Sequence, residues 1–272
     1  MRLFFILSLL LLTSFAFGQK NCNVFLYQGD TLQYEACKTA RQSGRYYQFS
    51  REYQMTHDRA LEIYPNYADS YTSKSTAYLK SGDFITWKQL MNKAVSLSPE
   101  EHLGYRGWCR YQFFRDYEGA IADIERLDEL IDYDIGHSVN SDYHLNIAKA
   151  ICYKALGQSE KAIQIIETQM RQSDHFVGEY DYFHLGILYL EKGDYQKSIK
   201  LLDQQNDHNE LADAHYYQAK AYQELGQVEL AKQKVAQAKT LYSAGRKAFD
   251  GYTHIDDEID LRDIEEYESA LP

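Results

Sequence analysis

Nine histidines are the first residues with chemistry to offer. His102 and His144 fall at comparable points of two helix-like segments. Facing each other across a seam, they would suit a divalent cation that activates water for hydrolysis. His175, His184, His208 and His215 are scattered. No His-Glu-x-x-His spacing, phosphate-binding glycine loop, dinucleotide fingerprint or Gly-x-Ser-x-Gly elbow occurs. Surface or helix-end imidazoles are therefore the simpler reading, no cofactor or metal is implied, and the chain does not read as an enzyme. The four cysteines divide in two. Cys22 and Cys37 lie 15 apart near the N-terminus, where a disulfide would tie down a fraying end. Cys109 and Cys152 sit in apolar-patterned helical segments and read as small core residues. There is no Cys-x-x-Cys pair of the redox or zinc type.

A disulfide needs an oxidising compartment, and the N-terminus supplies the route to one. Met1-Arg2 is a short basic start, Leu3 to Ala16 is almost wholly apolar, and Ala16-Phe17-Gly18 places small residues before Gln19. Residues 1–18 thus read as a cleavable signal peptide. The apolar run is short for a membrane span, and no Cys stands at the cleavage point to carry a lipid. The expected residence is exported, periplasmic or extracellular. Forty acidic against 29 basic residues give a net charge of −11, which makes the chain a poor ligand for a nucleic-acid backbone. No transmembrane segment is expected after cleavage.

The elements that must position these residues show in a repeat. Tyr78, Tyr111, Tyr153, Tyr189 and Tyr222 are spaced 33, 42, 36 and 33 apart. Four residues after each tyrosine comes Gly82, Arg115, Gly157, Gly193 or Gly226. Three residues before come Ser75, Trp108, Ala150, Gly186 and Ala219; nine after come Trp87, Ala120, Ala162, Ser198 and Ala231. Ala60 with Pro65, and Ala94 with Pro99, close two of the units. Small residues let paired helices approach closely, glycine ends the first helix in a left-handed conformation, and a following Asp caps the second.

This set resembles the tetratricopeptide repeat, a 34-residue helix–turn–helix unit, over roughly residues 30–245. The resemblance implies an all-α fold: a right-handed α-solenoid of about six repeats with a C-terminal capping helix. The expected organisation is a signal peptide (1–18), a lead-in (19–29) that is irregular or extended, a repeat array (30–249) and an acidic capping segment (250–272). Within the last, Asp256–Ala270 reads as a polar-faced helix. The longer first unit predicts an extra helical turn within Tyr46–Ile63. Residues 133–141 read as an inserted surface loop. Trp108 replaces a small residue, with Gly104 and Gly107 beside it to make room.

In the family, first helices line a concave groove. Carried over by register, the groove residues are His102, Tyr105, Phe113, Ile147, Tyr180, Phe183, Ile187, Tyr216 and Lys220, an apolar and aromatic centre with polar ends. The resemblance implies a protein–protein interaction module that binds a protein or peptide partner there. The positions of the family's carboxylate clamp carry Thr72, Thr76, Tyr105 and Ile147, so that clamp is not expected. Two other functions compete: an assembly subunit of an envelope machine that acts through its convex face or acidic C-terminus, and, behind it, a metal-assisted hydrolase.

Overall fold

The computed structural model describes residues 20–272, so the signal-peptide reading of residues 1–18 lies outside the described residues. Among those described, the chain is all-α and built of helix–turn–helix repeats, an α-solenoid with a helix closing its C-terminal end. No helix among them is long and apolar enough to cross a membrane. Two compact units divide at Leu97 and Ser98.

The first unit opens with α1 (Asn23–Tyr27), a short helix where an irregular lead-in was expected. It is followed by α2 (Thr31–Arg41), a 3-10 turn (Gln42–Arg45), α3 (Arg51–Ile63), α4 (Ala68–Ser81) and α5 (Phe84–Leu97). Its core gathers Phe25, Ala36, Ala40, Ala60 and Tyr67 around a disulfide between Cys22 and Cys37, whose Cα atoms are 5.6 Å apart. The expected extra helical turn is absent. The Ser50 hydroxyl accepts the Tyr53 N–H and starts α3 only at Arg51. The surplus residues go instead into the 3-10 turn and a bend at 46–50, where Tyr47 and Phe49 pack on each other at 5.4 Å.

The second unit holds four pairs: α6 (Pro99–Phe114) with α7 (Tyr117–Leu130), α8 (Leu145–Ala155) with α9 (Ser159–Met170), α10 (Asp181–Glu191) with α11 (Tyr195–His208), and α12 (Ala212–Glu224) with α13 (Val228–Ser243). The small residues sit where paired helices cross. A Cβ on Gly186 would stand 2.8 Å from Leu202, and one on Gly107 would stand 3.0 Å from Ile124. Ala150, Ala162, Ala219 and Ala231 are fully buried. Trp108 therefore does not occupy the crossing of α6 and α7. Gly107 takes that place, and the indole packs on Tyr111 and Tyr143 at 5.5 and 5.6 Å.

The recurring tyrosine seals one repeat to the last. Tyr153 on α8 donates to Glu125 on α7 at 2.7 Å, and Tyr189 on α10 donates to Glu167 on α9 at 2.6 Å. Lys161 and Lys197 lie over these two rings at 3.8 and 3.9 Å, a cation–π contact that covers each ring. The inserted segment is less superficial than expected. Tyr133 and Val139 are exposed, but Ile135 and Ser138 are buried. Leu145 N–H donates to Gly136 O, which folds the loop against the start of α8.

The last helix, α14 (Leu261–Ala270), begins five residues later than expected. Asp260 accepts the Asp263 N–H and Asp263 accepts the Asp260 N–H, a reciprocal cap that fixes its start. Ile264 and Tyr267 then cover the end of the array against Tyr216, Ala219 and Val235.

Two changes test this packing. Cys22→Ser should cost about 3 kcal/mol in denaturant unfolding, the value for a loop of this length; reductant should destabilise the wild type and leave the variant unchanged. Gly186→Leu should cost about 2 kcal/mol or more by overpacking. Gly44→Ala, whose Cβ meets nothing within 4 Å, should stay within about 0.5 kcal/mol of the wild type.

Candidate functional site

The residues expected to line an open groove lie on α6, α8, α10 and α12 of the second unit. In the folded chain this inner face is covered by the chain itself. After α13, Gly245 adopts φ +76° and ends the helix. The chain then turns back over the inner helices as an irregular loop, 246–260, before α14 begins.

One buried carboxylate holds both ends of this loop. Asp213, on the first turn of α12 and fully buried, accepts the Ala248 N–H at 2.8 Å and the Ile259 N–H at 3.0 Å. Burial pushes its carboxyl up, and the two N–H groups pull against that rise. Between these ends the loop crosses to α6, where Gln112 donates to Thr253 and Arg115 donates to the His254 carbonyl and to Asp256, the last at 2.8 Å. On its return, Asp257 enters the inner face. Lys154 of α8 donates to both its oxygens at 2.7 and 2.8 Å, and His184 Nδ1 of α10 lies 3.4 Å away. The Tyr217 hydroxyl of α12 donates to the Asp257 carbonyl at 3.0 Å. Burial pushes the Asp257 carboxyl upward, but His184 and Lys154 outweigh it and hold it at about 2.

Below the loop runs a continuous row of rings. Trp108, Tyr143, Tyr180, Phe183, Tyr217, Tyr216 and Tyr267 follow one another with centroids 5.3 to 6.5 Å apart. His184 bridges loop and row: its Nε2 lies 3.0 Å from the Tyr143 hydroxyl. An ionised Asp257 can only accept, so His184 Nδ1 is the donor of their contact. Burial raises the Tyr143 phenol well above its ordinary range.

The expected site residues therefore meet different surroundings. Ile147, Phe183 and Ile187 are fully buried, and His102 is buried. Tyr180 is buried with its hydroxyl donating to Phe249 O. Tyr216 packs on Tyr267, and Lys220 lies over Tyr216 and Tyr217 at 5.3 and 5.7 Å. Tyr105 and Phe113 are half-buried. Of these positions, Tyr180 meets the loop directly, and the others are held to differing degrees by the repeats themselves. Arg115, Lys154, His184, Asp213 and Tyr217 do the polar holding. Lys154 and Asp213 stand at groove positions of the repeat register; Arg115, His184 and Tyr217 do not. Arg115 stands at a repeat turn in place of glycine, with φ +51°, which disguised it.

Of the two histidines considered for metal chemistry, His144 is engaged by its own surroundings. His144 Nε2 binds Asp134 at 2.9 Å and its Nδ1 accepts the Asn146 N–H. Its ring neighbours are His137 and His175, at 5.1 and 6.0 Å. His175 is likewise engaged, with Asp181 at 2.9 Å and Gln169 at 3.3 Å. Cys109 and Cys152 are free, buried thiols whose pKa burial pushes up.

Comparison with known proteins agrees with the repeat reading. The tetratricopeptide-repeat family model matches residues 68–101 and 182–206. No curated protein matches by sequence. Among solved structures, pilF of Pseudomonas aeruginosa superposes with a TM-score of 0.60 at 13% identity, covering 91% of this chain and 93% of that one. PilW, described as a widely conserved type IV pilus biogenesis factor, gives 0.57 at 15% identity, covering 82% and 90%. BtubC from P. vanneervenii gives 0.56 at 14% identity, covering 81% and 96%. At these identities the likeness is one of fold.

The Asp257 contacts make a pH prediction. A carboxyl held near 2 in the folded chain and near 3.9 when unfolded binds more protons unfolded between those values. Its contribution is complete above about pH 5 and is lost as pH falls through 2. Asp257→Asn should therefore be about 2 to 3 kcal/mol less stable than wild type at pH 7, with most of the difference gone at pH 2. Urea unfolding at both pH values measures it, and equal stability at pH 7 would contradict the assignment.

Proposed function

We propose that this tetratricopeptide-repeat protein works at the cell envelope as a protein-interaction module, and that the inner face of its second unit takes a segment of a partner protein. Interaction or assembly is the role the repeat fold supports. The observation that carries the finer reading is the loop: α6, α8, α10 and α12 already hold an irregular stretch of polypeptide, mainly through side chains. Such a face has the donors, acceptors and aromatic floor that peptide recognition requires. Its polar groups bind and orient the resident loop, and the hydroxyl that meets His184, that of Tyr143, is itself buried, so the reading is non-enzymatic. The envelope assignment draws on the signal-like N-terminus and on the fold shared with a pilus biogenesis factor.

A second reading draws on the same loop. A recess kept permanently full leaves the outer helices α7, α9, α11 and α13 as the working surface, and the protein is then an assembly subunit. Photocrosslinking residues placed at Phe113 or Lys220, on the inner face, and at Leu230, exposed on α13, separate the two in cells. The groove reading expects a discrete protein adduct, identified by mass spectrometry, from 113 or 220. Adducts confined to position 230 would overturn it in favour of the outer surface.

A further inference from the structure

The ligand chemistry of this face is written in what holds the loop. The protein is strongly acidic, with 40 acidic against 29 basic residues, yet Arg115 and Lys154 both turn toward the recess and His184 joins them. Each meets a carboxylate of one adjacent pair, Asp256 and Asp257. Apolar anchorage falls on Ala248, Ile255 and Ile259, which are buried, while Phe249, Tyr252 and His254 remain exposed. Asp257 reaches its place only with φ +67°, in the left-handed region that disfavours a residue with a side chain. A separate segment delivering the same carboxylates would be free of that constraint. The lining also includes acidic groups, and they set the register. Glu191 shares Lys154 at 3.0 Å, and Asp213 needs N–H donors, not carboxylates, at the far end.

We propose that the inner face of the second unit is a recognition site for an acidic, non-helical protein segment bearing two adjacent carboxylates, and that loop 248–259 is a built-in copy of that ligand which a partner must displace. This rests on the groove reading above and names its ligand class. The charge pairs are exchangeable, because any carboxylate of matching spacing satisfies the same donors. The resident copy holds the advantage of being tethered, so the free site opens only to a segment that binds better or is presented at high local concentration.

The test uses the full-length chain and a synthetic peptide of residues 248–260 carrying a fluorophore. Fluorescence anisotropy is measured with wild type and with a variant whose loop is unlatched by Asp256→Asn and Asp257→Asn together. The peptide should bind the unlatched variant at least tenfold more tightly than wild type. Adding Lys154→Met should remove that binding, and a peptide carrying Asn at both acidic positions should not bind. Equal binding to wild type and unlatched variant, or equal binding of the acidic and Asn peptides, overturns the proposal. Should the double variant lose the wild-type circular dichroism, Asp257→Asn alone is used with the same criteria. The assay needs no cellular partner. Crosslinks confined to the outer helices would therefore sink the groove function without altering the peptide result, and the reverse outcome is equally separable.

Discussion

Two helices of a repeat can pack at short range only where one of them gives up its side chain. Gly107 and Gly186 are such points, with Ile124 and Leu202 filling the space a Cβ would need. Alanines serve the same purpose at Ala150 with Ala162 and at Ala219 with Ala231. These crossings fix the rotation of each inner helix, and rotation decides which residues face which surface. With the small residue turned to its own partner helix, the tyrosine three positions on reaches the previous repeat. Tyr153 and Tyr189 find Glu125 and Glu167 there. The remaining arc of each inner helix is turned toward the recess, where Lys154, His184 and Tyr217 meet the loop.

The aromatic row and the acidic loop are two halves of one solution to this geometry. Rings on successive inner helices fill the floor by area and edge contacts, but several carry hydroxyls or imidazole nitrogens that need polar partners when buried. The loop supplies many of them: Phe249 O for Tyr180, the Asp257 carbonyl for Tyr217, and the Asp257 carboxylate for His184. α14 works differently. It covers the apolar end of the array with Ile264 and Tyr267, as the terminal repeat of a solenoid requires. Residues 246–272 thus combine an apolar cap with an ionic insert.

The repeat architecture was legible in the sequence because it is periodic. Gly157, Gly193 and Gly226 recur at one offset from their tyrosines, and each ends its helix with positive φ. Deviations from the period were harder to read. The surplus in the first unit resembled extra helix until Ser50 set the start of α3, and Asp260 with Asp263 marked the start of α14 where Asp256 had been expected to begin it. The candidate face was legible as a register of positions but not as a filled recess. Loop 248–259 has no period, and its contacts reach Gln112 and Arg115 some 140 residues away. Sequence spacing carries no signal at that range.

Asp213 carries a kinetic consequence. Because one carboxylate binds the N–H groups at both ends of the loop, neither end can peel away alone without leaving a buried charge short of a donor. Release of either end therefore carries the cost of a donor lost to Asp213, and the two ends of the loop are energetically coupled through one side chain. For the partner segment proposed above, entry would then depend on how often this chain releases its own loop, a property set before any contact is made.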